Sequence, residues 1–375
     1  MKKLLEKFAA PLLLVIAMVT GLIACSTSPT QTTSPRSPVS TTSPTSPSVI
    51  SSLNGAGATF PNPLYTKWFD EYYKLTGIKI NYQAIGSGGG IQQITAGTVD
   101  FGASDGIMTP EQQAKAEAAF GPILHIPTTS GAVAVIYNLS GIASGQLRLT
   151  GEILAQIYLK KITNWNDSRI KALNPNINLP DQPIAVVHRS DGSGTTYIFT
   201  NYLSKMSDEW KSQVGNATSV NWPGDIGAPG NAGVAGQVKQ LPGSIGYVEL
   251  AYARQNNLPW VTLQNSSGNF IEPSLSSTTK AAEGISLPDD MKIMITNSVN
   301  PEAYPICGFT WLLVYVNQSD QAKGKALVNM LWWAIHDGQK FTTPLDYAPL
   351  SNEAVKKAEA QILSIKYQGQ PLINP

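Results

Sequence analysis

The chain has 375 residues, enough for about two domains at ~150 residues each, and its 42% hydrophobic content can fill real cores, which excludes wholesale disorder. Charged residues make up only 14%, and 26 basic against 25 acidic side chains leave a net charge of +1, which excludes a nucleic-acid coat or a polybasic membrane binder. Two cysteines and three histidines leave little material for zinc clusters or a disulfide framework.

Lys2, Lys3 and Lys7 flank the start of an apolar run over residues 8–24, the layout of a secretory signal. The run ends Leu22-Ile23-Ala24-Cys25, which resembles the bacterial lipobox, where cleavage leaves Cys25 as a lipid-modified N-terminus. Residues 1–24 are therefore read as a lipoprotein signal peptide; an uncleaved anchor with an incidental cysteine is the alternative. Residues 26–50 are nearly all Ser, Thr and Pro, with Arg36 as their single charge. Such a segment has too few large apolar side chains to offset the entropy of ordering it. Extended at ~3.1 Å per residue it reaches on the order of 75 Å, so residues 25–52 read as a lipid-anchored tether. Removing residues 1–24 takes three lysines and one glutamate, leaving 23 basic and 24 acidic side chains and a net charge of −1.

From about Leu53 onward, short apolar strands alternate with helical patterns, the signature of an α/β fold with a largely parallel sheet. Residues 61–76 carry Leu64, Trp68, Phe69, Tyr72, Tyr73 and Leu75 at helix-like spacing, and Gly77 stops them. Residues 78–85 alternate as a strand, 91–96 begin another helix, and 99–103 form a second strand. Residues 132–137 read as a buried strand, followed later by a strand at 185–187, a helix around 197–206 and a strand at 245–249. A fully apolar strand at 310–316 precedes a helix through Leu327, Leu331, Trp332 and Ile335. Neither an internal repeat nor a second membrane span is visible.

Three segments share a design in which glycine or small residues follow a strand, carry hydroxyls, and lead into a helix. They are Gly55-Ala56-Gly57-Ala58-Thr59-Phe60-Pro61, then Gly86-Ser87-Gly88-Gly89-Gly90, then Arg189-Ser190-Asp191-Gly192-Ser193-Gly194-Thr195-Thr196. A helix start has unpaired amide N–H groups and about half a positive charge. Glycines let that backbone approach a ligand, and Ser or Thr hydroxyls add donors, which makes a site for a small oxyanion. Each segment alone reads first as a tight turn with an N-cap. Three together, one beside Arg189, are enough to offset a doubly charged anion without a lysine-rich patch.

Asp105, in Ala103-Ser104-Asp105-Gly106, is the odd element. A carboxylate near an anion is repulsive unless the anion carries a proton to donate. Hydrogen phosphate has one at neutral pH and sulfate has none, so a buried acceptor here would discriminate between them. A turn or capping role for Asp105 is the other reading.

The runs Gly-Ala-Gly-Ala-Thr-Phe-Pro (55–61), Val-Asp-Phe-Gly-Ala-Ser-Asp (99–105) and Asp-Gly-Ser-Gly-Thr (191–195) resemble the phosphate-binding proteins of bacterial ABC phosphate importers. So do Leu-Asn-Pro (173–175), Leu-Pro-Gly-Ser-Ile-Gly-Tyr-Val-Glu (241–249) and Ala-Arg-Gln-Asn-Asn-Leu (253–258), and the resemblance runs from about Leu53 to the C-terminal end. It implies a two-lobed, periplasmic-binding-protein-like fold of type II, with a hinge and a ligand cleft between the lobes. Lobe one would be 53–133 plus 303–375, and lobe two 134–302. Carried over by motif, phosphate would be held by Thr59, by the backbone of Phe60, and by Ser87, Arg189, Ser193, Gly194 and Thr195. Asp105 would accept the ligand's proton, and Asp191 would orient Arg189. The resemblance implies inorganic phosphate as ligand and the importer's permease subunits and their ATPase as partners. It implies no cofactor, metal or nucleic acid, and membrane contact through the lipid anchor only, on the periplasmic or cell-surface face. The family commonly has a polar residue where this chain has Gly88, and a basic one at His188, to which no contact is assigned. Residues 262–298 match least.

An enzyme is the rival class. Asp191-Gly-Ser193-Gly lacks the first glycine of a nucleophile elbow, and His125, His188 and His336 are scattered rather than clustered for a metal. Gly86 to Gly90 are not followed by the Lys-Ser or Lys-Thr of a Walker loop. Cys307, in an apolar stretch, reads as a buried small side chain. A binding protein for another tetrahedral oxyanion is the nearer alternative, a surface-anchored phosphate-ester hydrolase the more distant one.

Overall fold

The computed structural model describes residues 50–224 and 226–373. The signal segment, Cys25 and most of the tether lie outside the described residues. Eight strands build the main sheet: β1 (Ser52–Gly57), β2 (Lys79–Ala84), β3 (Phe101–Ser104), β4 (Ile123–Tyr137), β5 (Ala185–Arg189), β6 (Ile226–Ala228), β7 (Ser244–Glu249) and β8 (Cys307–Tyr315). Their spatial order is β2-β1-β3-β8-β4-β7-β5-β6. The two flanks are parallel, as the alternating pattern predicts, but the centre is not: β8 runs antiparallel to β3 and β4, and β4 to β7. The chain passes from one flank to the other along β4 and returns along β8, so these two strands oppose each other.

β4 starts nine residues before the expected strand. Pro127, Thr129, Ser130 and Gly131, outside the expected strand, continue the ladder to β8. Proline lacks an N–H for a ladder, and the strand accommodates it with one extra residue, Thr128, at the Thr310/Trp311 step of β8. The Thr128 hydroxyl pairs with Tyr65 Oη at 2.8 Å and donates to Thr310 O at 3.2 Å. Residues 123–132 pair with β8 and residues 133–137 with β7, so β4 changes partner at Ala132/Val133. Beside that change, Val133 N–H donates to Ile306 O at 2.8 Å.

Helix α1 (Asn62–Thr76) buries Leu64, Tyr65, Trp68, Phe69 and Tyr72 against the sheet, and Gly77 ends it in the left-handed region at φ 73°. Tyr73 and Leu75, expected on the same stripe, are exposed. Helix α2 (Ser87–Thr95) begins four residues before the expected start at Ile91. Its glycines serve packing: a Cβ on Gly90 would lie 2.6 Å from Gly57 Cα and from Ala103 O. Helices α3 (Gly194–Met206) and α4 (Gly230–Gln240) follow β5 and β6. Helix α5 (Gln321–Ile335) follows β8 and buries Leu327, Leu331 and Ile335 but leaves Trp332 half-exposed. Cys307 is buried, and burial pushes its thiol up to about 12.

Candidate functional site

Four helices begin where strands of the main sheet end: α1 after β1, α2 after β2, α3 after β5 and α4 after β6. The three glycine- and hydroxyl-rich segments are the first three of these turns. Their first-turn N–H groups and positive helix ends are gathered on side chains that the fold has taken out of water. Thr59, Phe60, Ser87, Asp105, Arg189, Ser193 and Thr195 are all buried, with Thr59 the most exposed at 8%.

Thr59 meets α4 across the cleft. Its hydroxyl oxygen accepts from Asn231 N at 3.2 Å and from Asn231 Nδ2 at 2.8 Å, while its carbonyl accepts from Tyr252 Oη at 2.6 Å. Asn231 Nδ2 also donates to Thr195 Oγ1 at 3.1 Å. Arg189, at the end of β5, donates Nε to Asp191 Oδ1 at 2.7 Å, Nη2 to Asp191 Oδ2 at 2.5 Å, and Nη1 to Thr195 Oγ1 at 3.3 Å. Two of its five N–H groups remain beyond these bonds. Asp191 also accepts from Gly230 N at 3.0 Å. Burial raises the Asp191 carboxyl, but the Arg189 hydrogen bonds and charge outweigh it and hold the group below the usual range. Arg189 is thus charge-balanced by Asp191, and attraction for an anion falls more to the helix ends than the residue types alone suggest.

Ser87 and Asp105 form the other half. Ser87 Oγ accepts from Asp105 N at 3.2 Å and from Gly194 N at 3.0 Å, and lies 3.4 Å from Asp105 Oδ2. Thr310 donates its hydroxyl to Asp105 Oδ1 at 2.8 Å. Burial pushes the Asp105 carboxyl up to about 7, against the lowering effects of Thr310, Arg189 and Ser87. Ser193 Oγ accepts from Thr196 N at 3.0 Å as the N-cap of α3, which leaves its hydroxyl hydrogen free to donate. The Phe60 carbonyl accepts from Tyr347 Oη at 2.7 Å, and Tyr347 Oη also pairs with Glu249 Oε2 at 3.0 Å. Burial pushes the Glu249 carboxyl well above its ordinary range.

The residues expected at the site therefore fall in one cluster, buried except for the half-buried Asp191. Asn231, Tyr252, Thr310, Glu249 and Tyr347 join it without having been expected there. Pro229-Gly230-Asn231 follows a short strand and opens a helix, the same signal as the other three turns in weaker form. Gly88 donates its N–H to Gly192 O at 2.8 Å, and a Cβ on it would lie 3.0 Å from Gly192 Cα. A polar side chain there would have to displace that backbone contact. His188 stacks on Trp222 with ring centres 4.8 Å apart, its Nδ1 3.0 Å from Arg189 O.

A surface cleft of 320 Å³ opens beside the cluster, lined by Thr59 and Asp191 together with Ile85, Pro229 and Tyr252. A wider groove of 650 Å³, between Ser140 to Arg148 and Leu173 to Asn178, contains none of the expected residues. Among the described residues no group of three or more His, Cys, Asp or Glu side chains is placed to hold a metal ion. No described helix is long and apolar enough to cross a membrane.

Residues 40–328 match a family described as a PBP superfamily domain. The chain is 47% identical over 310 residues to the phosphate-binding protein PstS of Xylella fastidiosa strain Temecula1, covering 82% of this chain and 84% of that protein. It is 46% identical to the PstS of Pasteurella multocida, covering 83% and 89%. Its fold is similar to that of a high-affinity periplasmic phosphate-binding protein, PfluDING, solved with phosphate (TM-score 0.67, 20% identity, 82% of this chain and 93% of that one). It is also similar to a phosphate-binding protein from Stenotrophomonas maltophilia (TM-score 0.64, 18% identity, 82% and 93%).

Proposed function

The chain belongs to the PstS family of phosphate-binding proteins, and from that premise we propose that it captures inorganic phosphate outside the cytoplasm and delivers it to an ABC-type importer. It is a binding protein, not an enzyme. One observation carries the reading: the hydroxyl and N–H donors at the starts of α2 and α3, Ser87 and Gly194, lie beside the carboxylate of Asp105, an acceptor that is 1% exposed. Hydrogen phosphate matches that arrangement. Its oxygens accept from Thr59, Phe60 N, Ser87, Arg189, Ser193, Gly194 N and Thr195, and its one proton goes to the Asp105 carboxylate. Sulfate brings no proton, so one of its oxygens would face the carboxylate with nothing between them, at the cost of an unsatisfied buried group.

Capture is a hinge motion between lobe one, 53–133 plus 303–375, and lobe two, 134–302. The change of partner along β4 at Ala132/Val133, and the bond from Val133 to Ile306, support putting both crossings there. Ser87 and Gly194, bonded to each other between the lobes, part to admit the anion. The sequence Leu22-Ile23-Ala24-Cys25 supports lipid attachment at Cys25, and the Ser/Thr/Pro tether would keep the body near the permease and its ATPase. The test is isothermal titration of the phosphate-stripped body with phosphate, sulfate and arsenate. Saturable one-to-one phosphate binding with no sulfate heat at the same concentrations is expected; sulfate binding as tight as phosphate, or no phosphate binding, overturns the reading.

A further inference from the structure

Resting on the phosphate reading, we infer that Asn231 is a positioning residue that fixes the Thr59 and Thr195 hydroxyls as hydrogen-bond donors. Asn231 is fully buried at the start of α4. Its side-chain orientation is set by Glu249, whose backbone N–H donates to Asn231 Oδ1 at 2.9 Å. An N–H can only donate, so the oxygen of the amide must face Glu249 and the NH2 must face the two threonines.

Each NH2 hydrogen then has one destination, Thr59 Oγ1 at 2.8 Å or Thr195 Oγ1 at 3.1 Å. Thr59 Oγ1 accepts a second bond from Asn231 N at 3.2 Å, and Thr195 Oγ1 a second from Arg189 Nη1 at 3.3 Å. A hydroxyl has two acceptor lone pairs and one hydrogen. With both lone pairs taken by N–H groups, neither threonine can accept anything further, and its hydrogen has to go to an acceptor.

Asn231 does this for two hydroxyls at once, and on the lobe division proposed above they stand on opposite sides of the cleft. The ligand that fits is one presenting bare oxygens to both threonine hydroxyls and a proton only to Asp105. Without the amide, each threonine regains a lone pair, can turn its hydrogen elsewhere, and no longer requires an acceptor opposite it.

The test is a double-mutant cycle by phosphate titration: wild type, Asn231→Ala, Thr59→Val and the double variant, each first checked for cooperative thermal unfolding. Asn231→Ala should weaken phosphate binding about 30-fold, the order expected for misdirected bonds to an anion. In the Thr59→Val background the same substitution should cost at least about fivefold less, because one hydroxyl it orients is gone. A residue that only supports packing would cost the same in both backgrounds. Phosphate binding by Asn231→Ala equal to wild type, or an equal loss in both backgrounds, overturns the inference; a double variant too weak to detect counts as an equal loss. If Asn231→Ala does not unfold cooperatively, Asn231→Ser, which keeps one donor, replaces it under the same criteria. Failure of the wild type to bind phosphate would instead sink the reading on which the inference rests.

Discussion

Asp105 sits between Ser87 and Thr310 with 1% of its surface exposed, and burial lifts its carboxyl to about 7. An aspartate in an unfolded chain titrates near 3.9, so the folded protein holds this proton to higher pH than the unfolded one. The stability that follows is fully present below about pH 4 and is lost as the pH rises through about 7. Urea midpoints measured without phosphate should therefore fall between about pH 5 and about pH 8. Asp105→Asn should flatten that fall, and Glu249, pushed the same way by burial, should keep part of it. An unchanged slope in Asp105→Asn would rule out the buried carboxylate as its source. Titrations of the same variant should show the preference for phosphate over sulfate reduced, because an amide can donate to the oxygen that a carboxylate repels.

Helix α3 ties stability and binding together at Ser193, whose hydroxyl both caps the helix and is expected to donate to the anion. Ser193→Ala should cost about 1 kcal/mol of stability as a lost cap and also weaken phosphate binding. Ser193→Asp separates the two: aspartate caps as well as serine, yet its charge opposes an anion. Thermal unfolding near wild type with phosphate titration heats abolished is the expected pair of results; retained phosphate binding in Ser193→Asp would remove Ser193 from the site. At this scale the sequence was most readable where apolar runs end in Gly, Ser and Thr before a helix, since strand, turn and cap each leave a local signature. It was least readable where tertiary packing overrides local preference. The glycines of α2 look like a loop but are helical, and at Gly90 the strands β1 and β3 leave no room for a Cβ. Pro127 to Gly131 fell outside the expected strand but belong to β4, where Thr128 is the extra residue beside the proline. Asn231 shows locally only the weak turn-and-helix signal of Pro229-Gly230-Asn231, and its partner Thr59 lies 172 residues away in the chain.

Across the whole molecule, the segments that meet at the cleft do so through the side chains of Thr59 and Ser87 and through one main-chain bond, Gly88 N to Gly192 O. Gly86 is the tightest point: at φ 88°, ψ 155° it occupies a region open to glycine, and a Cβ there would overlap the Asp191 carboxylate and lie 2.6 Å from Gly192 O. Gly86→Ala should hold the lobes apart and weaken phosphate binding by at least about 100-fold. Small-angle scattering should show no compaction of this variant on adding phosphate; full compaction with unchanged affinity would mean the lobes do not close on this contact. The strand that changes partners, β4, has a further consequence. Val133 and Ile306 lie on the outgoing and returning passages of the chain and are hydrogen-bonded to each other, so one flank of the sheet cannot slide along the other without breaking the ladder. Rotation about that line is the motion left to it. On the proposed lobe division, capture and release share one mechanical coordinate, and the bonds that Thr59, Ser87 and Gly88 make across the cleft form or break in concert rather than one at a time.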